Sequence, residues 1–130
     1  MKRLLSLTVA LLLLLACVSC GEDEDALVRV TSYLGARGEH DNVKLSQAQQ
    51  SELLAFLEGL DADKHWDGGN ATNCIKEYRF ETQTRLWRYC SDDGDIQDVA
   101  NNRLLFLSQE QADTLHDLLG IPRITVRDRS

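Results

Sequence analysis

The sequence predicts a small single domain of the α+β class, in which two helices lie on one face of an antiparallel or mixed β-sheet. Three observations support this prediction: two amphipathic segments with the same start pattern, several aromatic and β-branched runs bounded by turn residues, and the cysteine pair Cys74 and Cys90. We expect one domain over residues 27–130, because a chain of roughly 100 residues suits a single core.

Both helices are predicted from a pattern that occurs twice, as Leu45-Ser46-Gln47-Ala48-Gln49 and as Leu107-Ser108-Gln109-Glu110-Gln111. The Ser-x-x-Gln spacing is that of a capping box, in which serine and glutamine satisfy each other's backbone amides. Apolar residues then follow at helical spacing, namely Leu53, Phe56, Leu57 and Leu60 in the first segment and Ala112, Leu115, Leu118 and Leu119 in the second. Gly120 and Pro122 predict the end of the second helix.

Each predicted helix follows two extended runs, at residues 29–33 and 43–45 in the first half and at residues 85–89 and 104–107 in the second. Pairing the runs within each half gives a hairpin–helix unit that is used twice. Chance similarity of two ordinary amphipathic helices is the alternative interpretation. The run at residues 124–126 is a candidate edge strand.

The two cysteines flank a predicted hairpin, in which residues 75–80 and 85–89 surround a turn at residues 81–84. Setting Cys74 opposite Cys90 places Phe80 opposite Thr84 across a three-residue turn. We therefore predict one Cys74–Cys90 disulfide, worth about 3 kcal/mol in the chain-entropy model. The alternative is a catalytic thiol served by His65 or His116.

The N-terminus has the layout of a signal peptide. Lys2 and Arg3 are followed by an apolar run at residues 4–16 and then by acidic residues at 22–25. The run is shorter than the roughly 20 apolar residues that a membrane-spanning helix needs. We expect residues 1–16 to be removed.

The junction Leu14-Leu15-Ala16-Cys17 resembles the lipobox of bacterial lipoproteins, and the resemblance is confined to this N-terminal segment. It implies that Cys17 is acylated and begins the mature chain, with residues 17–26 as a flexible acidic tether; Cys20 is the alternative. Val18 rather than aspartate follows Cys17, which in this class implies anchoring in the outer membrane, facing the periplasm. Ordinary secretion after cleavage near Ser19 or Cys20 is the other possibility.

The composition disfavours several functions. With 21 acidic and 14 basic residues the net charge is −7, so we expect no nucleic-acid partner. No P-loop, dinucleotide fingerprint or zinc-protease motif occurs in the sequence. We therefore predict no cofactor and leave the oligomeric state open.

The loop after the first helix contains the candidate binding residues. Trp66, with its neighbours His65 and Asp67, is a partner-binding candidate because tryptophan is enriched at binding hot spots; alternatively, Trp66 folds back onto the core. Asp61, Asp63 and Asp67 are weak calcium candidates, although His65 and Trp66 stand where an EF-hand has an oxygen ligand and a glycine.

A second acidic cluster lies at residues 92–98, with carboxylates at Asp92, Asp93, Asp95 and Asp98. Asp93-Gly94 is first of all a turn signal. A pair of carboxylates performing acid and base catalysis, as in glycoside hydrolases, is the alternative.

These observations favour a lipid-anchored cell-envelope protein that binds another protein without catalysis, as an inhibitor, an immunity factor or an assembly factor. One alternative is a small calcium-dependent or carboxylate-based hydrolase. The other is a structural envelope spacer.

Overall fold

The computed structural model describes residues 26–35, 38–69 and 74–127, which form seven strands, two α-helices and a short 3-10 helix at Leu60–Ala62. In chain order these elements are β1 (Arg29–Leu34), β2 (Glu39–Val43), α1 (Gln47–Gly59), β3 (Asp67–Gly68), β4 (Lys76–Glu81), β5 (Leu86–Cys90), β6 (Asp95–Asp98), β7 (Arg103–Phe106) and α2 (Gln109–Leu119). The strands form one sheet in the order β2-β1-β4-β5-β6-β7-β3. Every pairing in this sheet is antiparallel, so the α+β prediction is confirmed and the sheet is not mixed.

Both predicted capping boxes are present. Ser46 Oγ accepts a hydrogen bond from the Gln49 amide at 3.2 Å, while the Gln49 side chain accepts from the Ser46 amide at 2.9 Å. Ser108 and Gln111 repeat this arrangement at the start of α2. In the described part of the chain neither helix has the length and apolar character needed to cross a bilayer.

Both helices pack on the same face of the sheet. The residues of the sheet that point into this core are Val30, Tyr78, Phe80, Trp87, Tyr89, Ile96 and Leu105. The apolar stripes of the helices belong to the same cluster, through Leu53 and Leu57 of α1 and Ala112, Leu115 and Leu119 of α2. The alternation of buried residues along β4 and β5 therefore leaves the opposite sheet face free of both helices.

The hairpin–helix arrangement occurs twice, but both hairpins differ from the predicted ones. In the first, the strand before α1 is β2 at Glu39–Val43 rather than the run at residues 43–45. The strand before α2 is β7, and it pairs with β6 rather than with the run at residues 85–89. That run is β5, which lies between β4 and β6. Residues 95–98 were predicted only as part of an acidic cluster with a turn at Asp93-Gly94, whereas the structure makes them a strand and buries all four.

The predicted disulfide is present, with 5.7 Å between the Cα atoms of Cys74 and Cys90. The predicted register is wrong, however, because Cys90 lies opposite Glu77 and Phe80 lies opposite Trp87. This register places Phe80 and Trp87 side by side in the core, and burial of that pair outweighs direct alignment of the cysteines. Cys74 reaches Cys90 from just before β4.

The candidate edge strand at residues 124–126 is not formed. Gln109 instead binds this segment, donating to the Ile124 carbonyl at 2.7 Å and accepting from the Val126 amide at 3.1 Å. The side chain of Val126 packs against the core and against Gly94. At the β7 edge of the sheet, the neighbouring strand is the short β3.

Candidate functional site

Trp66 folds back onto the protein, as the alternative interpretation of the loop expected. Its indole Nε1 donates to the Leu60 carbonyl at 2.7 Å, and its ring lies 4.2 Å below the guanidinium of Arg103. Of the other two partner-binding candidates, His65 is exposed in the loop and Asp67 is exposed in β3. The indole is therefore committed to contacts within the chain.

Two of the three calcium candidates, Asp61 and Asp63, bind different partners. Asp61 accepts hydrogen bonds from Arg85 and Arg103. Asp63 accepts from the His65 amide and from the Gln111 side chain, both at 2.9 Å. Among the described residues, Asp61, Asp63 and Asp67 do not form one of the groups whose ligand atoms converge.

A charged cluster centred on buried Asp98, which we call the Asp98 cluster, joins this loop to the sheet. It consists of Asp61, Arg85, Asp98 and Arg103. Asp98 is completely buried, and its Oδ2 accepts from Arg85 Nη2 at 2.9 Å and from Arg103 Nε at 3.0 Å. Burial raises the pKa of Asp98, but the hydrogen bonds from Asn101 and the two arginines outweigh it, so the pKa lies below its ordinary value.

The two arginines of the Asp98 cluster also stack on aromatic rings. The Arg85 guanidinium lies 4.3 Å from the centre of the Trp87 ring, as Arg103 lies over Trp66. Each arginine thus contacts two carboxylates and one indole. The two positive and two negative charges balance, and the ion pairs connect the loop at Asp61 to β6 and β7.

In the described part of the chain, potential metal-ligand atoms converge in two groups, Cys74 with Cys90 and Asp92, and Cys90 with Asp93 and Asp95. The first contains both disulfide cysteines, and the second lies at the acidic turn between β5 and β6. Asp95 is buried, and its Oδ1 has no hydrogen-bond partner in the described part of the chain. Burial raises its pKa, and the neighbouring charge of Asp93 raises it further. The third member, Cys90, is in the disulfide, which leaves two carboxylates where calcium takes about six to eight oxygens.

The cysteines and His116 are not arranged for nucleophilic catalysis. Cys74 and Cys90 are bonded to each other, so the free-thiol alternative is wrong. His116 is buried, with Nδ1 2.6 Å from the Pro122 carbonyl and Nε2 2.6 Å from the Tyr89 hydroxyl. Since a carbonyl only accepts, Nδ1 donates to Pro122 and Nε2 accepts from Tyr89. Both ring nitrogens are thus occupied.

The sheet face opposite the helices is the most distinctive surface of the described chain. We call its part on β1, β4 and β5 the open face, formed by the half-buried residues Thr31, Tyr33, Glu77, Arg79, Leu86 and Arg88. Arg79 and Arg88 lie directly opposite each other on β4 and β5. Like charges in that position destabilise a sheet.

Glu77 holds the two arginines of the open face. Its side chain is only 12% exposed, and its carboxylate accepts from Arg79 Nε and from Arg88 Nε, each at 2.8 Å. The Arg79 guanidinium also lies 4.1 Å from the centre of the Tyr33 ring. One carboxylate therefore serves two guanidinium groups, and one positive charge remains.

Sequence reasoning did not single out the open face, although a signal was present. Charged Glu77 and Arg79 alternate with aromatic Tyr78 and Phe80, and Arg88 lies between Trp87 and Tyr89. Such period-two alternation indicates strands with one apolar and one polar face.

The lipid-anchor prediction depends on residues that the structure does not describe. Cys17, Cys20 and the whole of residues 1–25 are outside the described residues. In comparisons with protein-family models, curated proteins and solved structures, no match to this chain was found.

Proposed function

We propose that the protein is a lipid-anchored component of the cell envelope that binds another protein and performs no catalysis. The signal-peptide layout and the lipobox-like junction at Cys17 support the anchor, with Cys20 as the alternative acylation site. In this proposal the domain faces the periplasm from the outer membrane. The open face is the surface that contacts the partner.

The observation that carries the binding proposal is the pair of arginines on the open face. Arginine and tyrosine are enriched at the centres of protein interfaces, where a few residues supply most of the affinity. The side chains of Arg79 and Arg88 are 38% and 40% exposed, and both are held in place by Glu77. Two adjacent like charges are a poor arrangement for stability alone, whereas they suit a surface that is completed by a partner.

Site-specific photocrosslinking in intact cells tests this surface. A photoreactive residue at Leu86 or Thr31, both half-buried on the open face, should give one discrete adduct. A residue at exposed Glu58 of α1, on the other side of the domain, is the matched control and should give none. An adduct from His65 alone would move the site to the loop, and no adduct from any position would favour the envelope-spacer alternative.

The anchor has its own test. Labelling cells with a palmitate analogue should mark the wild-type protein and the Cys20→Ser variant, but not Cys17→Ser. Label that is lost in Cys20→Ser and kept in Cys17→Ser would identify Cys20 as the acylated residue. Absence of label from the wild type would contradict lipid anchoring and leave ordinary secretion.

A further inference from the structure

We infer that the open face captures a carboxylate of the partner protein, with Arg79 and Arg88 as the donors. This inference rests on the proposed function and specifies its chemistry. The ligand class is an extended acidic segment, one of whose aspartate or glutamate side chains lies across β4 and β5.

The hydrogen-bond donors for such a group are already in place. Glu77 occupies only the Nε of Arg79, so both terminal amino groups of that guanidinium have no hydrogen-bond partner in the described ranges. In Arg88, Nε and Nη2 both contact the Glu77 carboxylate, and Nη1 has no hydrogen-bond partner among the described residues. The strands are about 4.8 Å apart, so donors from both reach one planar carboxylate. Arginine is well suited to binding carboxylates through paired hydrogen bonds.

Preorganisation adds to this chemistry. Arg79 is held by Glu77 below it and by the ring of Tyr33 at 4.1 Å, which limits the rotamer freedom that binding would otherwise remove. Glu77 is mostly buried, so its hydrogen bonds are less exposed to solvent competition than those of a surface pair. The guanidinium groups are therefore oriented before the ligand arrives.

The charge balance favours a carboxylate over a phosphate. Arg79, Arg88 and Glu77 together carry one net positive charge, and the nearby Arg29 and Glu81 lie opposite each other and cancel. A carboxylate has one negative charge, whereas a phosphate monoester has about 1.5 to 2 at neutral pH. The chain as a whole carries −7 and repels anions in general, so attraction here depends on the local pair.

Calorimetric titration of the full lipidated protein in detergent tests the inference, with hexaglutamate as the probe. We expect saturable binding that weakens as salt is added. Arg79→Gln and Arg88→Gln should each lower the affinity about tenfold, and the double variant should show no measurable binding. Arg123→Gln makes the same charge change at an exposed arginine paired with Asp117, and it should bind like the wild type.

Two further measurements make the result specific. Arg88→Lys keeps the positive charge but loses the planar guanidinium group, so it should still weaken binding about fivefold. Inorganic phosphate and hexalysine are the comparison ligands, and both should bind more weakly than hexaglutamate. Phosphate binding as tight as that of hexaglutamate, or equal losses in the Arg123→Gln variant, would overturn the inference.

The failure of this inference is separable from the failure of the proposed function. A partner adduct at Leu86 without hexaglutamate binding would refute carboxylate binding by Arg79 and Arg88, while the open face would remain supported as the binding surface. Hexaglutamate binding without any adduct in cells would support the carboxylate site and refute the proposed function.

Discussion

Replacing Asp98 by alanine should destabilise the domain strongly. Removing one partner of a buried ion pair costs about 3–5 kcal/mol, because the other charge is left without compensation. Here Arg85 and Arg103 are 23% and 25% exposed and keep Asp61 as a partner, which lowers the expected loss to about 2–3 kcal/mol. In a domain of this size that loss corresponds to a fall in Tm of about 10–20 °C.

Thermal and urea unfolding followed by circular dichroism measure the effect. Asp117→Ala removes a carboxylate that pairs with Arg123 on the surface, so its Tm should stay within about 2 °C of the wild type. If Asp98→Ala were as stable as Asp117→Ala, the Asp98 cluster would not lock the loop to the sheet. The reasoning from burial and charge would then be refuted.

The Asp98 cluster also fixes the direction of a pH effect. Hydrogen bonding to Arg85 holds the pKa of Asp61 below its ordinary 3.8, and hydrogen bonds overcome burial to do the same for Asp98. A carboxylate with a lowered folded pKa stabilises the fold above its unfolded pKa and loses this contribution as pH falls through the folded pKa. We expect wild-type stability to fall below about pH 4, and the fall should be smaller in Asp98→Ala.

Three further comparisons of variants test the packing. Cys74→Ser combined with Cys90→Ser should lower the free energy of unfolding by about 3 kcal/mol in urea, and reduction of the wild type should match it; an unchanged midpoint would contradict a stabilising disulfide. Gly94→Ala should destabilise the domain more than Gly120→Ala. Both glycines have positive φ, but a Cβ at Gly94 would lie 2.7 Å from Val126 Cγ1, whereas a Cβ at Gly120 would have nothing within 4 Å. Equal losses of stability would mean that Val126 does not pack against Gly94. Tyr89→Phe should lower the free energy of unfolding by about 1–3 kcal/mol, because it leaves His116 Nε2 buried without a hydrogen-bond donor. Tyr33→Phe, at a half-buried residue of the open face, should lower it little. Equal Tm values for the two variants would refute the Tyr89–His116 hydrogen bond.

The features that depended on local interactions were predictable from the sequence. A capping box involves residues three positions apart, so Ser46 with Gln49 and Ser108 with Gln111 were recognised directly. The disulfide followed from the parity of the cysteines, and the hairpin around residues 82–85 from its flanking aromatic runs.

The features that depended on distant partners were not predictable. The strand β6 was missed because Asp95 and Asp98 are unfavourable in a buried strand until their environment is known. Asp98 is tolerated because Arg85 and Arg103 lie on either side of it in the folded sheet. The stacking of Trp66 with Arg103 was not predictable for the same reason, since Arg103 lies far from it along the chain.

Hydroxyl-radical footprinting of the full-length protein, free and in complex with the partner identified by crosslinking, tests the proposed binding surface most directly. Tyr33 and Leu86 should be protected when the partner binds, while exposed Leu27 and the half-buried Phe56 of α1 should react as in the free protein. Protection confined to α1, α2 or the loop at Trp66, with Tyr33 and Leu86 unchanged, would contradict the assignment of the open face as the binding surface.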